Sequence, residues 1–224
     1  MSSDSCDKPR VNKSDITRGL CDLGLGLGDL VVVHSSLSSF GHVVGDANTV
    51  IDSLLETVGD RGTVIMPSHT DCEKNDVAAY DPQTTPVRKN IGLIPDTFWR
   101  RTEVIRGNFP PRHPWAAAGM MAQRLITFSE KHPIEAGHYA DVLCAIADLD
   151  GYVLLLGCLN RSNTSIHSAQ AAAFHAVEGI ARPKWEFLRS RPKRPEDFDQ
   201  LDGPLREAGA MRMGQIGGAE IRLM

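Results

Sequence analysis

The stretch Leu30-Val31-Val32-Val33-His34-Ser35-Ser36-Leu37-Ser38-Ser39-Phe40-Gly41 passes from a run of apolar, mostly β-branched residues straight into a turn of small polar ones. An uninterrupted apolar run suits a strand covered on both faces, because a strand with one wet side would alternate. Downstream, Asp46 is placed to cap a helix reaching about Val58. Its Val50, Ile51, Leu54, Leu55 and Val58 recur at helical spacing and form one apolar stripe. Gly59 and Gly62 end that helix, and residues 62–66 read as a second strand. Strand, helix and strand in this order make the two strands parallel neighbours joined by a right-handed crossover. A third buried strand follows at residues 152–157. The fold class expected is therefore α/β, with a central mostly parallel or mixed sheet flanked by helices.

Away from this unit the signals are local. Residues 1–13 read as a loose arm, and Ser14 is a plausible cap for a short helix over 15–23. Gly24-Leu25-Gly26-Leu27-Gly28 has the look of a dinucleotide fingerprint. It follows a helix and precedes a strand, the reverse of what that fingerprint needs, so it reads as a connecting loop. Residues 68–90 form a long polar loop of the kind that carries function. A helix is expected over 92–101, with Pro95 tolerated in its first turn. A short strand over 104–106, a proline-rich turn over 108–114 and a helix over 120–128 come next. Asn163 or Thr164 caps a helix expected over 166–180. Residues 182–195 are basic and proline-punctuated, and 211–224 could add a hairpin or strand. Residues 1–224 make a single α/β domain whose part after about 182 is short.

Composition narrows the classes. The 224 residues carry a formal net charge of -4, which offers no electrostatic footprint for nucleic acid and would suit a cationic small substrate. No apolar run approaches the roughly 20 residues that cross a bilayer, so no membrane partner is expected. The polar N-terminus lacks the order of a secretion signal, and a cytoplasmic protein is expected. The five cysteines form no CxxC pair and read as free thiols.

Ligands in open α/β sheets bind outside the carboxyl ends of the strands. Two loops there are rich in polar residues. The loop after the first strand offers backbone N–H groups and a following helix N-terminus, which can hold a pyrophosphate without lysine. A turn of capping hydroxyls is the other reading. In the second loop, His167 falls in the first turn of a helix, where the positive end of the dipole favours the neutral imidazole that a general base requires. Gln170 lies on the same face, within reach of that ring. A packing or capping histidine is the alternative. His69, Asp71 and His113 invite thought of a metal centre, but no metal-ligand spacing accompanies them and no metal is expected. Gly-x-Ser-x-Gly and a Walker-type loop are both absent.

Taken together, residues 30–41, the run Thr49-Val50-Ile51-Asp52-Ser53-Leu54-Leu55, and Gly62-Thr63-Val64-Ile65-Met66-Pro67 resemble the opening of the aminoglycoside 3-N-acetyltransferases. Asp81-Pro82-Gln83-Thr84-Thr85-Pro86 with Gly92 resembles that family too. So does Asp150 to Gly157 followed by Asn163-Thr164-Ser165-Ile166-His167. The blocks keep the family's order over about 30 to 170. The resemblance implies a soluble acyltransferase that uses acetyl-CoA as co-substrate and acetylates an amine, the 3-amino group of an aminoglycoside antibiotic. Carried over by position, it implies CoA contacts from His34, Ser35, Ser36, Leu37, Ser38 and Gly41. Thr84, Thr85 and Ile91 would line the pantetheine channel, and His167 would be the base, with Gln170 orienting it where the family has glutamate. Asp71, His113, Asn163 and Thr164 would meet the acceptor. Other readings are a CoA-binding member with lost or altered acceptor activity, and a metal-dependent hydrolase. A homodimer is left open.

Overall fold

The computed structural model describes residues 9–73, 75–132, 141–169 and 195–224. Its first strand, β1 (Arg10–Val11), pairs in parallel with β3 (His42–Val43) outside the main sheet. Arg10 and Val11 are thus held against the site loop, and Asn12 and Lys13 open α1, so the loose-arm reading fails for these residues; the pairing partner lies some thirty residues away, beyond local inspection. Helix α1 (Lys13–Leu23) is capped by Asn12 in a reciprocal box with Asp15 rather than by Ser14. The Ser14 hydroxyl donates instead to Asn12 Oδ1 at 2.6 Å.

β2 (Leu30–Ser35) runs down the middle of a seven-stranded sheet. Helix α2 (Asp46–Val58) leads to β4 (Thr63–Pro67), which pairs in parallel with β2, as the strand–helix–strand pattern requires. Helix α3 (Leu93–Phe98) precedes β5 (Ile105–Arg106) and β6 (Trp115–Gly119), and β6 runs antiparallel to β4. Helices α4 (Ala122–Lys131) and α5 (Val142–Asp148) follow. β7 (Tyr152–Leu156) then returns to the other side of β2, again in parallel. The C-terminal hairpin, β8 (Arg212–Ile216) and β9 (Ala219–Leu223), closes that edge through antiparallel pairing of β9 with β7. The spatial order is β5-β6-β4-β2-β7-β9-β8, a mixed sheet with a parallel centre.

Both faces of β2 are dry, which explains its unbroken apolar sequence. Val31 and Val33 share one core with Val64, Met66, Leu154, Leu156 and the buried faces of α1, α2 and α3. Leu30 and Val32 enter a second core with Ile65, Trp115, Ala117 and the buried faces of α4 and α5. Successive residues point to opposite faces, so one strand feeds two cores. The four described cysteines, Cys21, Cys72, Cys144 and Cys158, are free thiols. Among the described residues no helix is long and apolar enough to cross a membrane.

The long loop after β4 is tied down by one buried cation. Arg106, 8% exposed, donates to the carbonyls of Ser68, Pro82 and Thr85 and lies 4.1 Å from the Trp99 ring. Its charge is thus met by main-chain dipoles and an aromatic face, which lets the loop settle without a carboxylate partner.

Candidate active site

The strand order reverses at β2. β4 lies on one side after the α2 crossover, and β7 lies on the other. At such a point the loops leaving two parallel neighbours diverge and open a crevice beyond their carboxyl ends. Here those loops are the serine-rich turn after β2 and the segment after β7.

Several hydrogen bonds stitch them together. The Ser36 N–H donates to Leu156 O at 2.8 Å, and Ser39 Oγ donates to Gly157 O at 2.7 Å. Gly157 has φ of 68°, and a Cβ there would come within 2.6 Å of the Ser39 Cβ. Only glycine lets the two loops close this tightly. Ser39 Oγ also lies 3.0 Å from Ser36 Oγ, and the Ser36 and Ser38 hydroxyls lie 3.3 Å apart.

The crevice is a cavity of about 690 Å³. Ser35, Ser36, Leu37, Ser38, Gly41 and Ile91 line it, so six of the expected cofactor contacts meet on one surface. The N-terminus of α2 reaches it through Asp46, and Ser35 Oγ is buried without a hydrogen-bond partner among the described residues. Main-chain donors, hydroxyls and the positive end of a 13-residue helix fit a phosphate-bearing, uncharged-tailed ligand such as a CoA thioester. Asn90, Gly92 and Leu93 form the facing wall, and Gly157, Cys158, Leu159 and Arg161 the third. None of these is among the cofactor contacts expected from sequence. The rule that placed the serine loop at a strand's carboxyl end covers Cys158 to Arg161 equally; the Asn90–Leu93 wall carries no local signal of its position.

Other expected contacts lie elsewhere. Thr84 and Thr85 are spent on a turn: Thr84 Oγ1 donates to Asp81 Oδ2, and Thr85 Oγ1 accepts from the Asp81 N–H. They do not line this cavity. His34 is 5% exposed and sits beneath the turn rather than on its surface. Its Nε2 lies 3.3 Å from Thr164 Oγ1, bridging the end of β2 to the second loop.

Residues 165–169 are helical, so His167 does fall in a first helical turn. Asn163, 6% exposed, caps that turn: its Oδ1 accepts from the Ser165 N–H at 3.0 Å. Asn163 and Thr164 are therefore both engaged within the protein. The His167 ring is half-buried and meets the Phe198 ring edge-on, with centroids 5.6 Å apart. Gln170 lies outside the described residues. His69 and His113 come together, ring centroids 4.8 Å apart, whereas exposed Asp71 faces Arg88 at 3.7 Å. Among the described residues no group of three or more His, Cys, Asp or Glu side chains is arranged to hold a metal ion.

Burial pushes the His34 imidazole down from 6.5 to about 4, so it is neutral near pH 7. Burial likewise holds His69 well below the usual histidine range, with His113, Arg88 and His34 adding repulsion. As pH falls below about 6.5 the unfolded chain protonates these rings while the folded one resists. Stability should thus be full above that value and decline as pH drops toward about 4. Thermal midpoints measured across pH 4–8 check this, and His34→Gln should flatten part of the slope, with His69 and the lowered carboxyls of Asp81 and Glu103 contributing other parts. An unchanged slope in that variant would remove His34 from the account.

The family model described as aminoglycoside 3-N-acetyltransferase matches residues 32–224. Aminoglycoside N(3)-acetyltransferase IV of Salmonella sp. is 34% identical over 221 residues, covering 95% of this chain and 82% of that protein. Among solved structures, the apoenzyme of aminoglycoside acetyltransferase AAC(3)-IVa superposes with a TM-score of 0.79 at 28% identity, over 97% of this chain and 84% of that one. A histidine-to-alanine mutant of the same enzyme, in complex with a gentamicin, gives 0.78 at 27% identity, over 96% and 83%.

Proposed function

Because the chain belongs to the aminoglycoside 3-N-acetyltransferase family, we propose that it transfers the acetyl group of acetyl-CoA to the 3-amino group of an aminoglycoside, with His167 as general base. The observation that carries this is the closure of the serine-rich turn onto the loop that leads to His167, through Ser39 with Gly157 and His34 with Thr164. One loop offers a cradle for the donor, and the other leads within a few residues to a base.

In this reading the CoA moiety lies in the crevice, its phosphates toward the main-chain donors of the turn and the start of α2. The acceptor amine attacks the thioester carbonyl. A C–N bond forms, the C–S bond breaks, and His167 takes the amine proton, which can pass to the departing thiolate. No acyl-enzyme is needed, since holding amine, thioester and base in one geometry supplies much of the rate. His34, neutral and buried, is not the base in this reading; it holds Thr164. The complex of the related mutant with a gentamicin supports an aminoglycoside as acceptor.

Thiol release from acetyl-CoA, followed with a panel of aminoglycosides, tests the proposal. Release should depend on a member of the panel, with one acetyl group on the 3-amino nitrogen of the product by NMR. A panel that yields acetylated product at another nitrogen, or no free CoA with any amine, sinks it.

A further inference from the structure

A chain of polar side chains, buried except for the half-buried Asp202, runs from the last strand to the cap of the His167 turn, and the reaction as described above makes no use of it. Arg222 in β9 is 3% exposed, and its Nε donates to Asp202 Oδ2 at 2.8 Å. Asp202 Oδ1 accepts from Asn160 Nδ2 at 2.6 Å. Asn160 is fully buried, and its Oδ1 accepts from Asn163 Nδ2 at 3.1 Å. Asn163 Oδ1 accepts in turn from the Ser165 N–H. Each carboxylate or amide oxygen meets a donor and each donor meets an oxygen, so the direction of every amide follows from its neighbours.

Such a network is an expensive way to gain stability. Buried ion pairs replaced by apolar side chains of similar size are commonly as stable or more so, and a polar network is retained where it selects one geometry. Here the geometry selected is the start of a helix. The remaining Arg222 donors go to Glu220 Oε1 and Cys158 O, the latter in the wall of the crevice. One guanidinium therefore sets both the crevice wall and, through Asp202 and Asn160, the cap two residues before Ser165.

We propose that Asn160 and Asp202, anchored by Arg222, are positioning residues for acetyl transfer: they hold Asn163, and through it the turn that aims His167. This rests on His167 being the base. None of the three touches the reacting atoms in this account. Their effect comes from a helix start that cannot shift, and a displacement of about 1 Å at a catalytic group can cost roughly 10²-fold in rate.

The test is steady-state kinetics of full-length Asp202→Asn, which keeps size but sets an amide N–H₂ or a weaker acceptor against Arg222. Asn160→Ser serves as the second variant should the first not fold. For the folded variant kcat should fall at least 10-fold, toward the roughly 10²-fold expected of a misplaced base. KM for acetyl-CoA should stay within about two-fold, because the serine-rich turn is untouched and Arg222 itself keeps its bond to Cys158 O in the crevice wall. In a His167→Ala background the same substitution should leave the residual rate unchanged, since the base it would misplace is gone. A kcat within about three-fold of the parent overturns the proposal, as does an equal further loss in the His167→Ala background. Full activity of His167→Ala alone would instead remove the base assignment itself, a separate result.

Discussion

His167→Ala protein should lose about 10²- to 10⁴-fold in kcat for acetyl transfer while still binding acetyl-CoA, the range that a positioned general base contributes. Donor cradle and base are separate parts of the site. The crevice is built by Ser35, Ser36, Leu37, Ser38, Gly41 and the wall at Asn90 to Leu93. The His167 ring instead meets Phe198, within the short 3-10 turn Pro195–Leu201. Under the proposed mechanism, removing the imidazole leaves the cradle's donors in place but takes the proton acceptor from the attacking amine. Without it the amine nitrogen must carry its proton into the tetrahedral adduct, and that species reverts more readily than it expels the thiolate. Pre-steady-state transfer rates with a saturating aminoglycoside, alongside calorimetric titration of acetyl-CoA, measure the two parts. A variant that keeps near-parent turnover, or that no longer binds acetyl-CoA, contradicts the division of labour.

Phe40→Ala should be the most damaging single change to the cradle. Phe40 closes the turn Leu37–Phe40, is fully buried, and belongs to the larger of the two cores beside the sheet. Truncating a buried phenylalanine typically costs about 3–5 kcal/mol, through lost transfer energy and an unfilled cavity. In a chain of this size each kcal/mol moves the thermal midpoint by about 2–4 °C, so a drop on the order of 10 °C is expected. The turn also loses the side chain that pins it. The Phe40 carbonyl accepts from the Gly218 N–H in the C-terminal hairpin, so a shift would spread there as well. KM for acetyl-CoA should rise more than KM for the aminoglycoside. Differential scanning calorimetry and two-substrate kinetics check both statements; an unaltered midpoint would mean that the ring is not the anchor described.

Much of the architecture was readable in order along the chain. The β-branched run at Leu30 to Val33, the apolar stripe of α2 and the strand at β4 each show their period within a dozen residues. The strand–helix–strand rule then fixes their pairing. The C-terminal hairpin was also within reach. β6 was not. Ala116, Ala117 and Ala118 have little preference for strand, and they are extended because β4 pairs with all three and β5 with Ala116 and Ala117 from the other side. Arg10 and Val11 form a strand for the same reason, lent by His42 and Val43.

At the site, local reading put the serine-rich turn beyond a strand end and His167 in a first helical turn, and the structure has both in those places. It could not tell which of the polar residues are spent internally. Thr84 and Thr85 close a turn around Asp81, Asn163 caps a helix, and His34 lies under the cradle as a neutral spacer against Thr164. In sequence a serine, threonine or histidine at a loop looks equally available; its partner is decided by chain brought in from far away. What this sequence determined by itself was periodicity: which segments are strands or helices, and which ends of the strands carry polar turns. That information is carried by neighbours. Tertiary structure alone decided the closure of the two loops, the Asn90–Leu93 wall and the route from Arg222 to Asn163. Most of those contacts join residues tens of positions apart, and a hydrogen bond between them exists only once the sheet has set its strands side by side.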